Sequence, residues 1–152
     1  MAGTCPFCNP DPDRVFLETD RILGLWDKYP VSPGHALLVP RRHVAGWFDA
    51  TNEEHAALTV ALEIARHKIL EQHRPDGFNI GVNSGEAAGQ TIFHLHVHLI
   101  PRYKGDQDDP RGAFVGCFRA KPNIGQTRAN WTDRHAAEKP HRTPLQFAAR
   151  SQ

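Results

Sequence analysis

Residues 91–102 read Thr91-Ile92-Phe93-His94-Leu95-His96-Val97-His98-Leu99-Ile100-Pro101-Arg102. From Ile92 to Ile100 the pattern alternates with a period of two, which predicts a β-strand. His94, His96 and His98 then share one face, while Leu95, Val97 and Leu99 share the other. Successive imidazoles on such a face stand about 7 Å apart. Three readings fit this face. It could be a solvated polar face, although that gives no reason for histidine at every position. It could be a metal site, because histidine is the commonest metal ligand. It could be a catalytic face, with one imidazole as nucleophile and its neighbours as donors to phosphate oxygens. The upstream loop Asn83-Ser84-Gly85-Glu86-Ala87-Ala88-Gly89-Gln90-Thr91 favours the third reading. Small residues let backbone amides approach an anion closely, and Asn83, Gln90 and Thr91 add uncharged donors.

Further from this strand, Arg21 to Trp26 and His35 to Pro40 read as short strands, separated by a loop with two prolines and a glycine. Thr51 with Glu54 forms a capping box. Leu58, Leu62, Ala65 and Ile69 then recur at helical spacing until Pro75-Asp76-Gly77, so a helix is expected from Asn52 to His73. Phe78 to Val82 alternates as another strand. A helix between strands, followed by paired strands, predicts a mixed α and β layer, the α+β class. After about Gly105 apolar residues thin out. Residues 106–152 are expected to form an irregular extension, anchored where Trp131, Leu145 or Phe147 meets a surface.

The chain has 152 residues, 39% hydrophobic, with a net charge of +1. One domain with a real core fits that length. A near-neutral chain does not coat nucleic acid by bulk charge, and no apolar run reaches the ~18 residues of a membrane span. Met1 to Cys5 shows neither the basic nor the apolar block of a signal peptide, so the cytosol is the expected location. Cys5-Pro6-Phe7-Cys8 is a CxxC pair in a chain with three cysteines. In a reducing compartment such a pair suggests metal or redox chemistry. The redox reading needs a following helix, and Asn9-Pro10-Asp11-Pro12 argues against one. Two buried thiols at a turn is the plainer alternative.

The stretch Asn83 to Arg102 resembles the signature of the histidine triad family. So do Pro33-Gly34-His35-Ala36-Leu37-Leu38-Val39-Pro40 and the following Arg42-His43. These blocks stand in family order over roughly residues 5 to 105, and residues 1–105 are expected to form the domain. The resemblance implies a mostly antiparallel sheet of about five strands with one long and one short helix, assembled as a homodimer. It implies His96 as nucleophile on an α-phosphorus, oriented by a backbone carbonyl, with His98 and His35 lining the phosphate site. Asp27 would hold the ribose hydroxyls. Asn83, Gln90 and Thr91 would contact phosphate or the bridging oxygen, and Phe7 and Leu25 would border the base. A structural zinc on Cys5, Cys8, His43 and His94 is implied for one branch of the family, and mixed Cys2His2 sets are normal. A catalytic zinc on His94, His96 and His98 competes, but leaves the CxxC without a role.

Pro101-Arg102 looks like the dinucleoside polyphosphate hydrolase side of the family. The expected substrate is diadenosine tri- or tetraphosphate, accompanied by a divalent cation such as magnesium. A nucleoside phosphoramidate hydrolase, a nucleotidyltransferase and a nucleotide-binding sensor are the alternatives. No nucleic-acid or membrane partner is expected. Arg102, Tyr103 and Lys104 are candidates for a polyphosphate tail. Arg41 and Arg42 are expected on the surface, one of them a candidate for phosphate, and His55, His67 and His73 are expected in solvent. His135 and His141 fall in the extension, and Cys117 is read as a lone thiol. Asp108 to Gly112 resembles a segment of some bacterial members, but the residues after Gly112 depart from their pattern.

Overall fold

The structure is a computed structural model and describes residues 5–107. The extension from Asp108 onward lies outside the described residues, and with it Cys117, Trp131, His135, His141, Leu145 and Phe147. The described elements are β1 (Val15–Glu18), β2 (Ile22–Trp26), β3 (Ala36–Pro40), α1 (Asn52–Gln72), β4 (Gly77–Gly81) and β5 (Val97–Arg102). They form one antiparallel five-stranded sheet in the order β1-β2-β3-β5-β4. The shorter helical pieces are single 3-10 turns at Pro12–Arg14, Trp47–Asp49 and Glu86–Ala88. No described helix is long and apolar enough to cross a membrane.

The start of α1 is fixed by its own sequence. Glu54 N–H donates to Thr51 Oγ1, and Thr51 N–H donates to the Glu54 carboxylate at 2.9 Å. Arg42 adds two donors to the same buried carboxylate, Nε at 2.9 Å and Nη2 at 2.7 Å. Leu58, Ala61, Ala65 and Ile69 form the fully covered stripe of the helix, with Leu62 half-buried beside it. They pack on Ile22, Ala36, Leu38, Leu95, Val97 and Leu99. Each large side chain buried here contributes about 1.5–3 kcal/mol. The opposite face of the sheet carries a smaller cluster of Phe7, Leu23, Leu25, Leu37 and Val39. With apolar residues on both faces, β2 and β3 read as continuous apolar runs.

Two differences from the sequence expectation have local causes. The strand expected from Ile92 begins only at Val97. Before it, Leu95 N–H donates to Val44 O at 2.6 Å and Gln90 Nε2 donates to Ala45 O at 2.6 Å, so this segment is tied to the loop after β3. The edge strand β1 has no counterpart among the expected strands. It is four residues long and its register with β2 shifts between Val15 and Leu17, too short and irregular to show a period.

The loop from Asp27 to His35 is pinned at several points. Asp27 N–H donates to His35 O, His35 N–H to Ser32 O, Ser32 Oγ to Pro101 O and the Tyr103 hydroxyl to Pro33 O. Gly34 has φ of +82°, and a Cβ there would lie 2.9 Å from the His73 ring, so this turn requires glycine. His73 is thereby half-buried rather than solvated. His55 is too, stacked on Trp47 with Nε2 3.0 Å from its carbonyl oxygen. His67 is exposed as expected.

The Arg42 hydrogen bonds are the chief reason the Glu54 carboxyl stays below its ordinary pKa. A depressed carboxyl stabilises the fold above its unfolded value, about 4.3, and that contribution is lost as pH falls through the folded value. Glu54→Gln should cost about 1–2 kcal/mol at pH 7 through the cap and the charged hydrogen bonds. The deficit should shrink in denaturant titrations below pH 4. A deficit independent of pH would contradict this role for the charged pair.

Candidate active site and metal cluster

The last residue of β3's approach, His35, and the β5 residue His98 meet on the sheet face opposite α1. His35 Nε2 lies 3.0 Å from His98 Nδ1, and the rings stack with centroids 5.2 Å apart. The pairing of Leu37 with His98 brings these strands together. His96 stands next to them, its ring centroid 5.0 Å from that of His98. All three histidines are buried.

The tautomer of His96 is set by its partner. His96 Nδ1 lies 2.8 Å from the His94 carbonyl oxygen. A carbonyl only accepts, so Nδ1 carries the proton and Nε2 keeps its lone pair. Burial keeps His96 neutral, lowering its pKa against the opposing pull of that hydrogen bond. Burial lowers His35 as well, with Asp27 opposing. It pushes His98 down to about 3, reinforced by His96 and His35. The contact of His35 Nδ1 with Asp27 Oδ2 at 3.3 Å therefore joins a carboxylate to a neutral ring near pH 7. Val31 N–H approaches the same Nδ1, also at 3.3 Å.

A cleft of about 450 Å³ opens over these groups, lined by Asp27, His35, His96, His98, Thr91 and Phe7 among others. Its floor is apolar, with Leu37 and Ile92, and Phe7 lies 5.0 Å from the His96 ring centroid. Leu25 is fully buried and is not among the residues that line it. Asn83 and Gln90 are not part of the lining either. Gln90 Oε1 accepts from Gly85 N–H at 2.7 Å, and its Nε2 donates to Ala45 O and Ile92 O. Asn83 Nδ2 donates to Ala88 O. Both amides brace the glycine loop from within. Arg42 is committed to Glu54, Arg41 to Glu18, and Arg102 to Asn79 and Asp106. Among the described residues, Arg14 and Lys28 are the cations that line the cleft. The sequence reading missed them. Arg14 precedes the unread strand β1, and its Nε is anchored on Trp26 O at 2.9 Å.

His94 turns away from this cleft. Its Nε2 lies 2.8 Å from Pro40 O and so carries the proton, which leaves Nδ1 as a ligand lone pair. That Nδ1 lies 3.4 Å from Cys5 Sγ and 3.6 Å from Cys8 Sγ, and Cys8 Sγ lies 3.2 Å from His43 Nδ1. The four ligand atoms all fall within 4.8 Å of one another. A tetrahedral ion with bonds of about 2.3 Å to sulfur and about 2.0 Å to nitrogen spaces such ligands by about 3.5 Å. The cluster fits a metal ion. It gathers the four residues expected from the sequence, and it separates His94 from His96 and His98.

The profile of the HIT domain family matches residues 9–105. The AP-4-A phosphorylase of Mycobacterium tuberculosis is 44% identical over 86 residues, covering 56% of this chain and 44% of that protein. A zinc-bound histidine triad family protein from Mycobacterium smegmatis is 32% identical, with a TM-score of 0.63 over 70% of this chain and 80% of that one. A HIT family protein from Bacillus anthracis is 30% identical, with a TM-score of 0.65 over 86% of each chain.

This geometry makes two measurable predictions. Metal analysis should find one divalent ion per chain, lost in Cys8→Ser and kept in His96→Ala; loss in His96→Ala alone would place the ion on the other histidines. The buried imidazoles also set an acid limit. The unfolded chain takes up protons near pH 6.5 while a folded histidine with a lowered pKa does not. Stability is therefore full above pH 6.5 and falls below it, by about 1.4 kcal/mol per pH unit for each such ring. For His98 the fall continues to about pH 3. Urea midpoints should drop between pH 7 and 5, and less steeply in His98→Asn; equal slopes would contradict the neutral burial of His98.

Proposed function

As the chain belongs to the HIT domain family, we propose that it is a nucleotide hydrolase that cleaves dinucleoside polyphosphates at an α-phosphate through a nucleotidyl-histidine intermediate. The observation that carries this reading is the 2.8 Å contact from His96 Nδ1 to the His94 carbonyl. It fixes the ring with its Nε2 lone pair available for attack, the orienting logic of a catalytic triad. In the first step Nε2 forms a bond to the α-phosphorus, and the bridging bond to the rest of the polyphosphate breaks. Water then takes the nucleotidyl group and releases the mononucleotide and His96. A neutral imidazole is a competent nucleophile near pH 7, and burial keeps it neutral there.

The other groups supply position and charge. Asp27, on the cleft wall, holds the ribose hydroxyls, and the apolar floor with Phe7 receives the base. His98 and His35 line the phosphate site, and Thr91 adds a donor at the end of the glycine loop. Asn83 and Gln90 serve by holding that loop in shape. Preset donors of this kind stabilise charge that grows in the transition state. Cys5, Cys8, His43 and His94 hold a structural zinc, which ties the N-terminal segment to the residue whose carbonyl orients His96. The protein works in the cytosol as a homodimer.

The mycobacterial AP-4-A phosphorylase relative favours a second reading, in which inorganic phosphate instead of water takes the nucleotidyl group. One assay separates the readings. With diadenosine tetraphosphate the hydrolase releases AMP whether or not phosphate is present, whereas a phosphorylase releases ADP only with phosphate. An adenosine phosphoramidate turned over with higher kcat/KM would move the chain to the phosphoramidate branch. His96→Ala should lose at least about 1,000-fold in kcat; a variant as fast as the parent would overturn the nucleophile. AMP bound tightly with no turnover of any substrate would make the protein a sensor.

A further inference from the structure

One row of the sheet runs from the histidines of the cleft to the far edge strand. His98 pairs with Leu37, Leu37 with Leu25, and Leu25 with Val15. Neighbouring strands lie about 4.8 Å apart, so Val15 stands roughly 14 Å from His98. Arg14 is the residue before Val15, and it lines the same cleft as His96 and His98. Its side chain turns toward β2, with Nε donating to Trp26 O at 2.9 Å. The terminal nitrogens therefore lie two to three strand spacings from β5, on the order of 10–14 Å. Asp27, the residue after Trp26, falls between the two ends of the row. That is the order of groups in an extended mononucleotide: phosphate at the histidines, ribose at Asp27, and base at the end that holds Arg14.

Apolar cleft residues such as Phe7 and Val31 can cover the flat face of a base, but they do not tell one base from another. The charged groups on the cleft can. Arg14 and Lys28 donate hydrogen bonds and accept none. Lys28 is exposed, with Nζ 5.7 Å from the Tyr29 ring centroid. Arg14 is half-buried. Among the described residues it makes no ion pair, whereas Arg41, Arg42 and Arg102 are each held by a carboxylate. A guanidinium is planar, so the Nε anchor restricts the plane in which Nη1 and Nη2 present their donors. We infer that Arg14 is a specificity-determining residue that selects a 6-oxopurine nucleotide, with guanine or hypoxanthine as its base, over an adenine nucleotide. A 6-oxopurine offers two adjacent acceptors, O6 and N7, which one guanidinium edge meets with two N–H bonds. Adenine keeps N7 but carries an amine at position 6, whose N–H meets the N–H of the arginine. This selection rests on the nucleotide reading above and narrows its substrate. A dinucleoside polyphosphate with a 6-oxopurine in this cleft is bound more tightly than its adenine counterpart, and the chemistry at His96 is the same for both.

Calorimetric titration of the full-length protein with nucleoside monophosphates decides it, because these ligands share one ribose and one phosphate and differ in the base. GMP and IMP should bind within about threefold of each other and about tenfold or more tighter than AMP. 7-Deaza-GMP, which keeps O6 and lacks N7, should lose most of that advantage. Arg14→Met keeps an apolar stem without the donors. It should bring GMP down to the affinity of AMP, while AMP itself changes by less than about threefold. GMP and AMP bound equally by the parent overturn the base selection and leave the nucleotide reading standing. A preference for GMP that survives in Arg14→Met also overturns it. So does a loss of GMP and AMP alike in a variant that melts as the parent does, which would place Arg14 on the phosphate. GMP bound far more tightly than IMP would assign the selection to the 2-amino group and overturns it too. If Arg14→Met does not fold, the ranking of GMP, IMP, 7-deaza-GMP and AMP by the parent still decides. A protein that binds none of the four fails the nucleotide reading and the base selection together.

Discussion

His94 makes two hydrogen bonds that point in different directions. Its side-chain Nε2 reaches Pro40 O at 2.8 Å, and its main-chain oxygen receives His96 Nδ1–H at 2.8 Å. The first sets which nitrogen of His94 is offered to the cysteines. The second sets which nitrogen of His96 is offered to the cleft. Both depend on the segment before β5 leaving the ladder, because an ordinary strand would spend the His94 carbonyl on its neighbour. The bonds from Leu95 to Val44 and from Gln90 to Ala45 secure that departure.

The rest of the fold holds this arrangement in place. Helix α1 covers one face of the sheet with Leu58, Ala61, Ala65 and Ile69, so the histidines occupy the other. The loop from Asp27 to His35, fastened to the end of β5 by Ser32 and Tyr103, carries the polar wall of the cleft. The histidines are buried, and burial lowers the pKa of each so that they stay neutral. The same burial makes the fold sensitive to acid.

Much of this was legible in the sequence where period and chemistry agree. The capping box at Thr51 and Glu54 fixed the helix start, and the alternation around His96 and His98 placed them opposite Leu95, Val97 and Leu99. The metal cluster was legible through resemblance, because spacing alone does not bring Cys5 beside His94, 89 residues apart. What escaped depends on tertiary contacts that leave no period. Asn83 and Gln90 look like ligand donors in one dimension, and nothing in one dimension shows that their amides hydrogen-bond to Ala88, Gly85, Ala45 and Ile92. Arg14 shows nothing in sequence that marks it as a cleft residue. His55 and His73 look like solvated helix residues until Trp47 and Gly34 pack against them.

The orientation of His96 is the central claim, and a covalent adduct tests it most directly. The protein is mixed with diadenosine tetraphosphate, quenched within milliseconds, digested under alkaline conditions that preserve phosphoramidate bonds, and mapped by mass spectrometry and phosphorus–nitrogen NMR. The account predicts one adenylyl group on His96, bonded through Nε2. An adduct on His94 or His98, on Nδ1 of His96, or turnover with no adduct on any histidine would contradict it.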